Sequence, residues 1–552
     1  MKKLTINHLL IAGLLSSSAA MLSGCAGDYL DVKNTQGVET NTAFGTTDKV
    51  KSSVNGIAKT MHTLYYGISS NYVLFGLNGE GMVIDWFGEW CGQDNVNGLW
   101  ENQANYNKVF SGDVFNVAGN VIISYPWKYY YTVITNANSV ILHAEEAVGN
   151  AGLNKFYKAE ALTFRAYAYS RLVQLYGKRW QDSNNGSTPG VVLRLDESTE
   201  SNKPVSTLKE CYDQVYKDCK DAIALYQEAG VDREKGEFWM PNINVACLVL
   251  ARTALTRQDY ETALQYAPLA REGYPLMSEA DYVAGFATPT CEWIWGSTNS
   301  STETLGHGDF AAINACNGYN ANTYSTRNNK VNLDLVAAIP ATDVRSKLFL
   351  TQDKFPDYDF NADDGKNYTN VDSYGRVTGD ELNTAMVAYI KGMTPKGFSQ
   401  AYPQAALVGG QLKFWSTDGN GESCVPYMRS AETYLIEAEA NYFLNNEDAA
   451  RTALTTLNKA RNAAYTCDLT GEALFEEIFN YRRIELWGEG FNWFDFKRLR
   501  RTIERKTFRN GGATNIYTNS AALRNIIKPD DKNGWTLVYP SGETNFNEDV
   551  IN

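Results

Sequence analysis

Between residues 154 and 177, Ala161, Phe164, Ala168, Leu172 and Leu175 recur at steps of three and four. That spacing predicts an α-helix with one apolar stripe. From 241 to 274 the same period predicts two helices, broken at the polar stretch Arg257-Gln258-Asp259. Pro241 falls in the expected first turn, where its missing N–H costs nothing, and Leu250, Ala254, Ala263, Ala267 and Ala270 are the expected contacts between the two. A third unit runs from 430 to 465. Ala431, Leu435, Ala438 and Tyr442 line its first helix, Asn445-Asn446 make the turn, and Ala450, Leu454 and Leu457 line the second. Each unit is about 34 residues long with small residues at the crossings, which is the tetratricopeptide (TPR) pattern. Helical stretches at 48–66 and 127–147 are expected to pair near the N-terminus, so TPR-type pairs are predicted over about 127–177, 207–274 and 430–465.

The pattern fails between 277 and 424, a region rich in Gly, Asn, Thr, Ser and Asp with short apolar runs and isolated aromatics. The segment 76–117 is similar, with Trp86, Trp90 and Trp100 among Gly, Asn and Asp. Such composition predicts ordered loops and short strands laid over a helical frame, and loops on a rigid frame are where binding usually resides. The expected fold is therefore mainly α, with helix pairs as scaffold and an irregular, loop-rich face carrying short strands. The helix pairs are not in tandem, which argues against a plain repeat array.

Residues 1–24 read as a targeting segment. Lys2 and Lys3 form a positive start, an apolar run spans 9–15, and small residues follow from Ser16 to Ala20. The run is too short for a permanent membrane span. It ends in Leu22-Ser23-Gly24-Cys25, which looks like a bacterial lipobox, whose cysteine is lipidated and becomes the first mature residue. The alternative is an ordinary signal peptide with an incidental cysteine. Several acyl chains, each stabilised in the bilayer by about 0.8 kcal/mol per buried CH₂, would make Cys25 a durable anchor.

The net charge of −13 over 552 residues argues against a nucleic-acid binder, which needs a basic face. Four histidines thin the field of metalloenzymes and His-based catalysts. Besides Cys25 there are eight cysteines, and Cys211, Cys219 and Cys247 lie in helix-like apolar stretches that favour buried free thiols. No phosphate-binding glycine loop, nucleophile elbow or zinc-type spacing occurs. Glu485 and Glu489 are four apart on one helix face, but Arg482, Arg483 and Lys497 crowd the same stretch, so ion pairing is expected there and not glycosidase chemistry. Asp359, Asn361 and Asp363 alternate as in a calcium loop; the glycine and glutamate that such a loop needs are missing, so a solvated turn is the simpler reading and calcium is the weaker one. No other cofactor is expected.

Aromatics are the outlying class, with 34 Tyr, 23 Phe and 12 Trp. Sugars stack their C–H faces on Trp and Tyr rings and need amide or carboxylate partners for their hydroxyls. Trp86, Trp90, Asn95 and Trp100 supply that mixture in one non-periodic segment, and Tyr319 and Tyr324 supply it again in the middle of the chain. These six are the candidate ligand-binding residues; the competing reading is that the rings pack loops onto the frame. Trp293, Trp295 and Tyr129, Tyr130 and Tyr131 read as packing.

Three motifs carry a resemblance. Tyr481-Arg482-Arg483-Ile484-Glu485-Leu486-Trp487-Gly488-Glu489-Gly490, followed by Trp493-Phe494-Asp495-Phe496-Lys497-Arg498, looks like the C-terminal signature (481–500) of the SusD/RagB family of Bacteroidota lipoproteins. The stretch 429–440 ending in Asn458-Lys459-Ala460-Arg461 is similar to that family's preceding helix pair, and 159–166 through Leu175-Tyr176-Gly177 resembles its first TPR. Asp343 with Arg345, and Lys413-Phe414, also fit. The resemblance implies one SusD-like domain over 25–552, with 277–424 as its variable insert. It further implies an outer-membrane surface lipoprotein that binds an oligosaccharide, or less often a peptide, caps a TonB-dependent transporter and performs no catalysis. An exported polysaccharide hydrolase and a TPR docking scaffold are the alternatives from other classes.

Overall fold

The structure, a computed structural model, describes residues 43–62, 79–97, 109, 111–198, 202–297, 310–319, 329–360, 362, 369–371, 377–399, 406–505 and 526–550. The targeting segment and Cys25 lie outside the described residues.

The N-terminal half is built from α1 (Thr47–Thr60), α2 (Val121–His143), α3 (Ala151–Tyr176) and α4 (Leu208–Ala229). Local chemistry sets their ends. Asn150 Oδ1 accepts from Leu153 N at the start of α3. Thr207 and Glu210 form a reciprocal capping box on α4, and Gly230 closes that helix at φ 64°. The single stripe expected on α3 understates it. Twenty of its residues are buried on all sides, including Glu160, Arg165 and Arg171, because α1, α2 and α4 all pack against it. Charges enclosed this way must find partners. Arg165 forks onto Asp218 of α4 at 2.8 and 2.7 Å, and Arg171 lies 3.3 Å from Glu80.

Two further antiparallel pairs follow the sequence pattern. The first is α5 (Ile243–Arg257) with α6 (Tyr260–Ala270), turned at Gln258 with φ 64°. Asn242 caps α5, so Pro241 stands just before the helix and not in its first turn. The second is α8 (Ser430–Phe443) with α9 (Glu447–Lys459), turned at Asn445, also with positive φ. The buried Arg252–Glu432 pair (2.6 Å) ties α5 to α8. Strands are short and antiparallel: β1 (Asn95–Asn97) with β3 (Asn329–Val331), β2 (Trp293–Ser297) with β4 (Val425–Arg429), and β5 (Ile503–Glu504) with β6 (Ile526–Ile527). Trp293 and Trp295 are core residues, as their pattern suggests; Trp295 meets Phe164, Tyr167 and Tyr427 edge-on.

The C-terminal signature forms α10 (Gly471–Glu485) and α11 (Asn492–Arg498), and its charges build a fully buried network. Arg429 reaches Glu292 at 2.5 Å, Glu489 at 2.7 and 2.8 Å, and Glu485 at 3.2 Å. Arg461 joins Glu292 and Glu485, Arg345 joins Asp343 and Glu485, and Lys413 joins Glu489 at 2.6 Å. Four cations thus face four carboxylates. Against the cost of burial, Arg461, Arg429 and Arg345 hold the Glu485 carboxyl well below the usual range. The Glu485–Glu489 pair is therefore a structural junction joining the middle of the chain to its C-terminus. The thiols of Cys211, Cys219 and Cys247 are free and buried.

Candidate functional site

After Gly79, held at φ 54° against the Met61 carbonyl, the chain makes one α-helical turn (Gly79–Val83) and widens into a π-helix, Ile84–Trp90. Such widenings are rare and frequent at functional sites. The end of the π-helix is capped from far along the chain. The Arg505 guanidinium donates to the carbonyls of Trp90 (3.3 Å), Cys91 and Gly92 (both 2.7 Å), and burial pulls its pKa down to about 10. Three residues on, β1 pairs with β3. The helix α7 (Phe310–Asn314) closes the group: Asn314 Nδ2 donates to Asp85 Oδ1 at 2.7 Å, Asn329 Nδ2 donates to Asn314 Oδ1, and Gln411 donates to the Asn314 carbonyl at 2.5 Å. The early segment and the middle of the chain, which the sequence nominated separately, are thereby brought together.

The signature fixes this group from below. Glu89 Oε1 accepts from the N–H groups of Gly490 (2.7 Å) and Phe491 (3.3 Å). Arg483 forks onto Asp94 at 2.7 and 2.5 Å, Asn492 donates to the same carboxylate, and the Trp487 indole donates to the Asp94 carbonyl.

Three groups in this cluster are not used up. Among the described residues, Asp85 Oδ2, Glu89 Oε2 and both amide atoms of Asn95 are buried without a hydrogen-bond partner. Each such atom costs about 1–3 kcal/mol when left unmade, so they constitute hydrogen-bonding capacity held in reserve. Burial pushes the Asp85 carboxyl well above its usual range, offset in part by Asn314 and reinforced by Glu89. Burial pushes Glu89 up to about 7, against the backbone N–H groups of Gly490 and Gly488. A protonated carboxyl and a free amide both donate and accept, which suits hydroxyl groups. Asp85 and Glu89 are shifted in the same direction.

The rings are placed differently from the expectation. Trp86 is 1% exposed and meets Tyr125 edge-on at 6.1 Å, and Trp90 is 6% exposed. The π-helix turns both inward, so neither offers the open face that sugar stacking needs. Asn95 is likewise buried, at 3%, with its strand paired to β3. Burial leaves Trp86 and Trp90 no open face for stacking, and Asn95, expected as a polar partner for hydroxyls, is buried as well. Tyr319 is half-buried, its N–H donating to the Asn420 carbonyl, five residues beyond Asn314. Trp100 and Tyr324 lie outside the described residues, as do Asn361 and Asp363 of the calcium candidate. Asp359 is described, its carbonyl accepting from Asn370. Among the described residues no group of three acidic, His or Cys side chains is arranged to hold a metal. Asp85, Glu89, Asn314 and Asn329 were missed in the sequence. The one available signal was two carboxylates four apart in a stretch otherwise made of Trp, Phe, Gly and Ile.

Residues 291–551 match the family model described as the SusD family, and residues 28–232 match one described as starch-binding associating with outer membrane. No curated protein matches. Among solved structures, the chain is similar to a SusD-like carbohydrate binding protein from Bacteroides vulgatus ATCC 8482. The identity is 20%, with 92% of this chain and 98% of that chain covered and a TM-score of 0.70. A SusD superfamily protein from Bacteroides thetaiotaomicron VPI-5482 is 20% identical over 92% of this chain and 99% of that one, with a TM-score of 0.67. Another SusD superfamily protein from the B. vulgatus strain is 20% identical over 92% and 98%, with a TM-score of 0.68.

Proposed function

We propose, from the premise that this chain belongs to the SusD/RagB family, that it binds an oligosaccharide at the outer membrane and performs no catalysis. The observation that carries the reading is the family match itself: the stretch containing the π-helix, 28–232, matches a model described by starch binding and outer-membrane association. Trp100, Tyr319 and Tyr324 are the proposed stacking rings, and Trp86 and Trp90 are packing residues. The lipobox supports anchoring through Cys25 at the cell surface, and the family resemblance supports delivery to a TonB-dependent transporter. TPR-type helix pairs then serve as the scaffold of a single domain running from residue 25.

The test is an array of glycans and peptides probed with the full chain, followed by single variants. Trp100→Ala and Tyr324→Ala should melt like the parent and bind the identified glycan about tenfold more weakly, one ring's share at a hot spot. Trp86→Ala and Trp90→Ala should lower the melting temperature. Turnover of a glycan abolished by one carboxylate substitution would replace the reading with a hydrolase. Tight transporter binding without any soluble ligand would replace it with a docking scaffold.

A further inference from the structure

Buried carboxylates in this protein are matched by cations almost without exception. Among the described residues, Glu80, Asp94, Asp218, Glu432, Glu439 and Asp495 each meet an arginine. The Glu485–Glu489 network has four cations of its own. Asp85, Glu89 and Glu160, each 1% exposed, form no ion pair among the described residues. Glu160 stands alone on α3, in the field of Arg233 and Lys51. The other two stand four residues apart in the π-helix, within one turn of its i→i+5 bonding. The charges that face them are already spent. Lys413 is bonded to Glu489 and to the carbonyls of Glu485 and Trp487, and Asp94 is held by Arg483.

Each of the two carboxylates is fixed by one oxygen and presents the other. Asp85 Oδ1 accepts from Asn314, and Glu89 Oε1 accepts from Gly490 and Phe491. Asp85 Oδ2 and Glu89 Oε2 are the buried atoms left over. Asn95 completes the set. Residues opposite one another in an antiparallel ladder share a face, as do residues two apart on one strand. Asn95 is opposite Val331, and Val331 is two residues from Asn329. Asn95 therefore lies on the face that Asn329 turns toward Asn314 and Asp85. There it is 3% exposed, with neither amide atom bonded among the described residues. Its strand also packs directly against the π-helix.

Two enclosed carboxylates without a cation beside them need protons or a bound ion, because a buried charge is either paired or coordinates a metal. Protons remove the charge but leave Asn95 unbonded; an ion satisfies an oxygen of all three residues at once. We propose that Asp85, Glu89 and Asn95 bind one calcium ion. The donors are all oxygen, with no Cys or His to favour a softer metal. Two carboxylates match a divalent charge. Calcium takes about six to eight oxygens in flexible geometry, whereas magnesium demands a strict octahedron and keeps several waters, which suits an enclosed site poorly. The ion ties the π-helix to β1 and, through Asn314 and Gly490, to the middle and end of the chain. It is a structural ion, separate from the Asp359 loop and independent of the saccharide reading.

The experiment is elemental analysis of the full chain, equilibrated with calcium and then gel-filtered in metal-free buffer, alongside thermal melts in calcium, magnesium or a chelator. The parent should retain about one calcium per chain. Calcium at about a hundredfold excess over Kd should raise the melting temperature by about 2–3 °C above that in chelator, for a chain of this size, and magnesium should not. Terbium, a luminescent stand-in for calcium, should light up on excitation of the indoles of Trp86 and Trp90, which adjoin the two carboxylates in sequence, and calcium should quench it by displacement. Asp85→Asn combined with Glu89→Gln keeps the acceptors for Asn314, Gly490 and Phe491 while removing both charges. In chelator this variant should melt at or above the parent, and it should lose the retained ion, the calcium shift and the terbium signal. The single variants are read the same way if the double one does not fold. A parent that retains no calcium and shows no calcium-specific shift would overturn the site, leaving a protonated pair. An ion and a shift that survive in the folded variant would also overturn it, placing the calcium elsewhere on this acidic chain.

Discussion

Arg429 shows how a single side chain is committed in this protein: with no solvent exposure, it reaches Glu292, Glu485 and Glu489. Removing one member of such a network leaves the others charged and unpaired, which costs about 3–5 kcal/mol, far more than the network's net contribution. Arg429→Met should therefore lower the denaturant midpoint sharply without any change specific to ligand. Glu89 carries a prediction of another kind. Its carboxyl titrates near 7 when folded and near the ordinary 4.5 when unfolded, so between those values the folded state holds the extra proton. Stability must fall as pH rises through that window, by about 1.4 kcal/mol per pH unit. Asp85 acts in the same direction, whereas Glu485 and Glu489, held low by their cations, lose stability only as pH drops below the ordinary carboxylate value. Glu89→Gln keeps the acceptor for Gly490 and Phe491, and its stability relative to the parent should be greater at pH 8 than at pH 5, read from paired thermal melts. A parent–variant difference that does not grow with pH would show that Glu89 is ionised throughout.

At the scale of elements, the π-helix and the signature turn are one joint. Gly88 lies so near Gly490, itself at φ 88°, that a Cβ added at 88 would stand 2.3 Å from the Gly490 Cα. Both sides of that contact are backbone and cannot yield by rotamer change. Gly88→Ala should cost about 3 kcal/mol or more, at or beyond the upper end of overpacking penalties. The same substitution at Gly56, where a Cβ meets nothing, should be neutral or mildly stabilising in its helix, and thermal melts of the two variants compare them. The wide turn also explains the fate of the tryptophans. A segment of Trp, Gly and Asp without helical period reads as an exposed loop, yet a π-helix placed against α11 can bury every residue from Ile84 to Trp90.

For the molecule as a whole, two ends of the chain meet in the same body. Arg505 caps the π-helix, Arg483 holds Asp94, and Trp487 reaches the Asp94 carbonyl, so the N-terminal and C-terminal portions cannot separate without exposing buried charge. Among the described residues the apolar core starts at Val50, twenty-five residues beyond Cys25. Cys25→Ser should accordingly move the protein from the membrane to the soluble fraction with an unchanged melting curve; co-loss of folding would make the tether part of the core. By itself the sequence determined the helix pairs, their turns at Gln258 and Asn445, the packing role of Trp293 and Trp295, and the structural meaning of Glu485 and Glu489. All of these rest on periodicity or on charges crowded within a few residues. Tertiary structure alone decided that α3 is enclosed on every side, that Trp86 and Trp90 face inward, and that Asp85, Glu89, Asn95 and Asn314 gather in one buried cluster. The reason is range: a helix reads its neighbours three and four residues away, whereas burial of a ring or the unspent valence of a carboxyl depends on partners hundreds of residues distant, such as Gly490 for Glu89.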